Sequence, residues 1–202
     1  MANSYAQPIL RTGDLAEALR VARQLLEVAD TSTIEVDLEA VARTPQELDG
    51  LLEQMPEAEW WAYGPDRSGS SDDGDLPFDH LPVFLRDWSR PVHAVEVFLS
   101  AAGSAPAMVR WDFDGWPAAP EVGLGPGGTR GAYVTLAANA RDLDLETPAD
   151  VHTVFVHVKQ IEAERAPWLA PYFAGSSFRS LASGDVLVPG RGGRGDGAGR
   201  RG

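Results

Sequence analysis

Three glycines at the spacing of a dinucleotide-binding loop are the first residues whose pattern could do chemistry. Gly123, Gly125 and Gly128 form a Gly-x-Gly-x-x-Gly run within PEVGLGPGGTRGAYV, residues 120–134. Such a loop needs a strand before it and a helix beginning inside it, because the helix N-terminus binds the pyrophosphate. The preceding WPAAPEV carries two prolines, and the following GAYVTLAANA is typical of a strand. We therefore expect the glycines to connect two extended segments, and we predict no cofactor.

Asp112 and Asp114 are the candidates for acid–base or metal chemistry. Residues two apart on a strand share one face and lie about 7 Å apart, so these carboxylates would lie opposite Trp111 and Phe113. Two such carboxylates could serve a small hydrolase together with a histidine distant in sequence. The alternative is a polar strand face that ends in a turn, because Asp114-Gly115 is a signal for a type I′ hairpin.

The histidines form no recognisable set. His152 and His157 lie five residues apart on a segment predicted to be helical, which turns them about 140° apart around the axis. A zinc-binding helix pair uses a spacing of four, so we expect both to be exposed helix residues. His80 and His93 have no partner that the sequence identifies. The chain also lacks cysteine and the motifs GxSxG, HExxH and GxxxxGK(S/T), so no metal ligand and no catalytic set is predicted.

Tryptophans are the remaining functional candidates, and there are six of them. Trp60 and Trp61 are adjacent, so on a strand they point to opposite faces. Both can be buried only if both faces of that strand are covered. Otherwise one points outward, and exposed aromatic residues are typical of binding surfaces. Packing of most tryptophans in the core is the alternative.

The charge balance indicates which partner such a surface would bind. Thirty acidic residues face 17 basic ones, a formal charge of −13, although the Gly/Arg-rich stretch 190–202 is locally basic. A body this negative repels phosphate backbones, so we expect no nucleic-acid binding except through that stretch. A basic protein partner fits better, although acidity that serves only solubility is the alternative.

Helical spacing and capping signals predict three main helices. Thr44 with Glu47 forms a capping box, and Thr147-Pro148 resembles a second helix opening. The predicted helices span 14–29, 45–55 and 148–165, and a short helix broken early by Pro82 is expected over 78–88. Alternating or β-branched runs predict strands over 31–42, 59–63, 93–101, 107–116 and 131–140. The polar stretch 64–75 is expected to be a solvated loop.

These elements predict a single α+β domain. It consists of a mainly antiparallel sheet of about 4–6 strands with three helices packed on one face. The domain is expected over residues 1–175, followed by an irregular extension over 176–189 and a disordered Gly/Arg-rich tail over 190–202. No apolar run could span a bilayer and no secretory signal is visible, so we expect no membrane partner and a cytoplasmic location.

The function expected from these features is non-catalytic: an acidic protein-binding domain, for example an inhibitor or immunity-type protein that neutralises a basic toxin or enzyme. The expected partner-binding residues are Trp60, Trp61, Asp72, Asp73, Asp75, Asp112, Asp114 and Trp116. One alternative is the small hydrolase built on the two aspartates of the 112–114 segment. Another is an accessory subunit whose tail contacts RNA or protein.

Overall fold

One antiparallel sheet carries three helices on a single face. The structure is a computed structural model, and it describes residues 4–28, 30–63, 68–71, 81–115 and 132–159. In chain order the elements are β1 (Ser4–Thr12), α1 (Leu15–Val28), β2 (Asp30–Ala42), α2 (Pro45–Gln54), β3 (Glu59–Tyr63), β4 (Ser68–Ser70), β5 (Val83–Arg90), α3 (Ala94–Ala102), β6 (Ala107–Gly115), β7 (Ala132–Ala138) and β8 (His152–Lys159). None of the helices in these ranges is long and apolar enough to cross a bilayer.

The strand order is β1-β8-β7-β6-β2-β5-β3-β4, and every neighbouring pair is antiparallel. The predicted α+β class and antiparallel sheet are confirmed, but eight strands replace the expected 4–6. β1 was not predicted because Pro8 interrupts its strand pattern. β1 is an edge strand with a bulge at this point, and such a strand tolerates a proline. β4 lies within the predicted loop 64–75 and was missed because it is short and has no apolar side chain.

The core lies between the helices and one face of the sheet. β2 turns Val36 and Leu38 to this face, and β6 turns Val109 and Trp111 to it. α1 contributes a fully buried stripe spaced three and four residues apart, namely Ala18, Val21, Ala22 and Leu25. This spacing is what the sequence predicts for an amphipathic helix, and the helix is confirmed.

The start of α2 is also confirmed. Thr44 is extended, with φ −128° and ψ 154°, and its side chain accepts a hydrogen bond from the backbone N–H of Glu47. The carboxylate of Glu47 in turn accepts from the backbone N–H of Thr44 at 3.1 Å. These reciprocal bonds satisfy donors that the first helical turn leaves unpaired.

The prediction of a strand over 93–101 is wrong, because this segment forms α3. The alternation of Val95, Val97 and Leu99 in the sequence does not correspond to the pattern of burial. In the structure the buried residues are Val95, Phe98, Leu99 and Ala102, which is helical spacing, and Val97 is 54% exposed. The helix ends at Gly103, whose φ of 56° suits glycine.

The prediction of a helix over 148–165 is also wrong for its described part, since 152–159 is strand β8. This strand lies between β1 and β7, and its run of β-branched residues is buried on both faces. A continuous apolar run satisfies helical and strand spacing alike, so the neighbouring strands decide. His152 is consequently buried and not exposed as expected.

Two smaller predictions need correction. The expected helix over 78–88 is strand β5 from Val83 onward, which pairs with β2 on one side and with β3 on the other. Asp114-Gly115 is not a hairpin turn, because β6 runs through Gly115 and pairs there with β2. The glycines at 123–128 lie outside the described residues. The next described segment, β7, is a strand and not the helix that a dinucleotide loop requires.

Candidate functional site

The sheet face opposite the helices, called here the open face, has an apolar end. The segment 139–150 crosses this end and packs Leu143 and Leu145 on it. Beneath them lie side chains from five strands, Val41, Phe84, Met108, Ala137 and Phe155, and Ala140 of the segment itself belongs to the same cluster. This small second core lets the sheet bury apolar residues on both faces at one end.

Asn139 and His152 hold the start and the end of this crossing segment. Asn139 adopts a positive φ of 53°, and its side-chain amide donates to the backbone oxygens of Gly103 and Ala105 at 2.8 and 2.9 Å. Its backbone N–H donates to Nδ1 of His152 at 3.1 Å. Burial lowers the pKa of His152, and Asp14 opposes this effect only in part. His152 is thus a neutral structural acceptor in the folded protein at neutral pH.

Beside this apolar end the open face carries charge. We call the charged patch the open-face side chains Glu35, Asp37 and Glu39 of β2, Arg86 of β5, and Arg110, Asp112 and Asp114 of β6. The register brings them together: Glu39 lies opposite Arg86, Asp37 opposite Arg110, and Glu35 opposite Asp112. Five carboxylates and two guanidinium groups give the patch a formal charge of −3.

Ion pairs between strands fix the centre of the charged patch. Asp37 lies between two guanidinium groups, with its Oδ2 atom 3.2 Å from Nη2 of Arg110 and 3.7 Å from Nη2 of Arg86. Arg86 Nε lies 3.0 Å from Oε1 of Glu39, although its N–H is not aligned for a hydrogen bond. Arg110 donates to Oδ2 of Asp112 from both Nε and Nη2, at 3.0 and 2.8 Å. Five of the seven charges thus lie within one connected network around Asp37.

Burial and the neighbouring charges shift the pKa values of Glu39 and Arg110. Desolvation raises the pKa of Glu39, while Arg86 and Arg110 lower it and Asp37 raises it. Burial acts to lower the pKa of Arg110, but its hydrogen bond to Asp112 and the surrounding negative charge raise it overall. Glu39 is therefore a carboxylate whose ionised form is under-stabilised, which a further cation would relieve.

Aromatic rings border the charged patch on both sides. The guanidinium of Arg86 lies 3.3 Å from the ring centre of Trp88, which is 45% exposed. On the other side the guanidinium of Arg110 lies 4.8 Å from the ring centre of Tyr133. Next to Arg86 on the open face, Trp61 and Phe84 stack across β3 and β5, with ring centres 5.7 Å apart and planes 8° apart.

A groove opens between this stack and the crossing segment. Its volume is about 220 Å³, and it is lined by Glu39, Ala40, Trp61, Phe84, Leu85, Asp144, Leu145 and Glu146. Aromatic rings thus form one wall, and the crossing segment contributes two acidic residues, Asp144 and Glu146, to the other. Arg43 donates to the backbone oxygen of Glu146 close to the groove.

The structure brings three of the predicted binding residues to the open face. Trp61 is half-buried there, while Trp60 points to the helix side and is only 8% exposed. Asp112 and Asp114 share the face, as the alternation predicts. Asp114 accepts from the backbone N–H of Thr33 at 2.8 Å and from its hydroxyl at 3.0 Å. Four predicted residues lie outside the described ranges, namely Asp72, Asp73, Asp75 and Trp116.

The hydrolase alternative needs a histidine beside Asp112 and Asp114. Of the four histidines, His93 and His152 have described side chains, and both lie on the helix side of the sheet. The backbone of His157 pairs with Tyr133, which pairs with Asp112, so it lies two strands away, about 10 Å. The hydrolase therefore stays a prediction of the sequence without support from the described side chains.

Sequence reasoning missed the centre of the patch: Asp37, Glu39, Arg86, Trp88 and Arg110. One signal was available, because acids occupy every second position of TIEVDLEA and must share one strand face. The arginines could not be assigned, since their partners depend on the order β6-β2-β5.

Comparison with known proteins adds no function to this description. No family model, no curated protein and no solved structure matches the chain. Within the described ranges no group of three His, Cys, Asp or Glu side chains could hold a metal ion.

Proposed function

We propose that this chain is a protein-binding domain that captures a positively charged protein partner on the open face of its sheet. The observation that carries the proposal is the charged patch, whose surplus of carboxylates is bordered by the exposed ring of Trp88. Neutralisation of a basic toxin or enzyme, as an inhibitor or immunity-type protein does, is the concrete form of this proposal.

The arrangement suits binding because its carboxylates are held in place before a partner arrives. Arg110 fixes Asp112 with two hydrogen bonds, and two arginines hold Asp37. Side chains that are already ordered lose little rotamer entropy on association. The surplus negative charge steers a cationic partner and fixes its orientation, while the aromatic rings supply apolar contact area.

The experiment that tests this function selects ligands for the whole chain from a displayed peptide library. We expect the selected ligands to be cationic and their affinity to fall as ionic strength rises. The double variant Glu35→Gln/Asp112→Asn should weaken binding by about tenfold or more. Ligands without net positive charge would contradict the proposal.

A matched control separates the open face from negative charge in general. Asp49 and Glu53 are exposed on α2, on the other side of the sheet. The double variant Asp49→Asn/Glu53→Gln removes the same amount of charge and should leave affinity within about twofold. Equal losses in both double variants would mean that net charge alone, and not this face, binds the ligands.

A further inference from the structure

We infer that the groove between the Trp61–Phe84 stack and residues 144–146 receives one arginine side chain of the partner. This inference rests on the proposed function and makes it specific, because it assigns a position and a chemical group to the contact. The lining of the groove, its charge and its size each point to a guanidinium group.

The aromatic wall offers the surface that a guanidinium group prefers. Trp61 and Phe84 lie on neighbouring strands with parallel rings, so their flat faces are already ordered. A guanidinium group is planar and weakly hydrated, and it stacks on such faces by cation–π attraction. The open face already uses this contact twice, at Arg86 with Trp88 and at Arg110 with Tyr133.

The opposite wall and the floor supply negative charge. Three acidic residues, Glu39, Asp144 and Glu146, line the groove, and Oδ1 of Asp144 accepts a hydrogen bond from the backbone N–H of Glu146 at 3.1 Å. Two arginines of the chain lie nearby: Arg86 pairs with Glu39, and Arg43 contacts the backbone of Glu146. The local balance stays negative, and Glu39 is half-buried where water solvates its charge poorly. A cation that displaced water here would meet an electrostatically complementary site.

The volume of the groove suits a single side chain. The groove volume of about 220 Å³ is below the range of about 300–1,000 Å³ that is typical of small-molecule sites. A guanidinium group with part of its methylene stem can enter such a space and leave the partner backbone outside. Arginine is favoured over lysine, since a compact ammonium neither stacks as a plane nor bonds carboxylates in a bidentate way.

The test uses three capped glycine-rich peptides that are identical except for a central arginine, lysine or citrulline. Each is titrated into the full chain while the indole NMR signal of Trp61 is followed, assigned from Trp61→Phe. We expect the arginine peptide to shift this signal and to bind at least about fivefold more tightly than the other two. An equal response to citrulline, which is uncharged, or to lysine would overturn the inference.

Two variants locate the contact. Glu39→Gln and Trp61→Ala should each weaken arginine-peptide binding by at least about threefold, while Trp88→Ala, outside the groove, should not. Thermal unfolding of each variant verifies that the fold is intact. Unchanged affinity in folded Glu39→Gln and Trp61→Ala proteins would place the peptide elsewhere and refute the assignment.

Library-selected ligands distinguish failure of the groove from failure of the proposed function. If Glu35→Gln/Asp112→Asn weakens their binding but an arginine-to-citrulline scan of the ligand does not, the binding face stands and the groove assignment is wrong. If the double variant has no effect, the proposed function itself is wrong, whatever the single-arginine peptides do.

Discussion

Nη2 of Arg110 lies 3.2 Å from Oδ2 of Asp37 on the neighbouring strand, and the Asp37 side chain is only 7% exposed. Removing one member of such a pair leaves a poorly solvated charge on the sheet. We expect Arg110→Met to lower the free energy of unfolding in urea by about 1–3 kcal/mol, and Asp37→Asn/Arg110→Met to lower it by less than the sum of the single changes.

An exposed pair between helices provides the control for this prediction. Arg23 of α1 contacts Glu96 of α3, and both side chains are 54% exposed. Exposed pairs contribute about 0–1 kcal/mol, so Arg23→Met should change stability by less than Arg110→Met does. Equal effects of the two substitutions would show that burial of Asp37 is not what makes the Arg110 contact matter.

Leu145 holds the crossing segment against the open face, and its replacement should be costly. The side chain is 2% exposed and packs in the small apolar cluster with Met108 and Phe155. Leu145→Ala should lower the free energy of unfolding by about 2–3 kcal/mol, because the cavity cannot close fully. Leu143→Ala, at a half-buried position of the same segment, should cost less. Urea titrations of both variants measure the difference.

The helices and the last strand illustrate what the sequence can and cannot predict. α1 and α2 were predicted correctly because their signals are local: buried spacing in one, the Thr44–Glu47 capping box in the other. The segment of α3 was predicted as a strand and that of β8 as a helix, because their short apolar runs fit both helical and strand spacing. Only the neighbouring elements of the fold select one of the two. Local propensity is a weak guide where tertiary contacts bury both faces of a segment.

In the candidate site, too, local features were predictable and those that depend on tertiary contacts were not. Alternation along β2 and β6 correctly places carboxylates on one face and Trp111 on the other. The partners of those carboxylates come from β5 and β6, which lie far from β2 along the chain and on either side of it in the sheet. No pattern within 11 to 18 consecutive residues, about the window that periodicity uses, contains that information.

His152 predicts how stability depends on pH. Its folded pKa lies below its ordinary value of 6.5 because it is buried, so the unfolded chain binds the proton more readily. Protonation of the unfolded chain therefore lowers the free energy of unfolding. This loss begins at pH about 6.5 and grows as pH falls toward the folded pKa. We expect the decline in unfolding free energy over this interval to be shallower in His152→Gln than in the native chain.

The exposed His93, before α3, serves as the matched position for this measurement. His93→Gln should keep the decline seen in the native chain. Both variants are unfolded in urea at several pH values between about 7.5 and 5, where most carboxylates remain ionised. A decline that is as steep in His152→Gln as in the native chain would show that burial of the His152 ring does not cause the loss of stability at acidic pH.

Trp88 is the aromatic residue on which the proposed binding face depends most. Its ring is 45% exposed and is stacked by Arg86, so it is presented outward and held in one orientation. A partner that covers it gains a large apolar contact without ordering a flexible side chain. Trp88→Ala should weaken the library-selected ligands by about thirtyfold, equivalent to about 2 kcal/mol.

Val97 makes this last prediction decisive, because it is also exposed and apolar but lies on α3, on the other side of the sheet. Val97→Ala should leave the affinity within about twofold of the native chain. Calorimetry gives the affinities, and thermal unfolding verifies that both variants fold. Because Trp88 and Val97 are both exposed apolar residues but lie on opposite sides of the sheet, a loss confined to Trp88→Ala would support binding on the open face. A loss confined to Val97→Ala would move it to the helices.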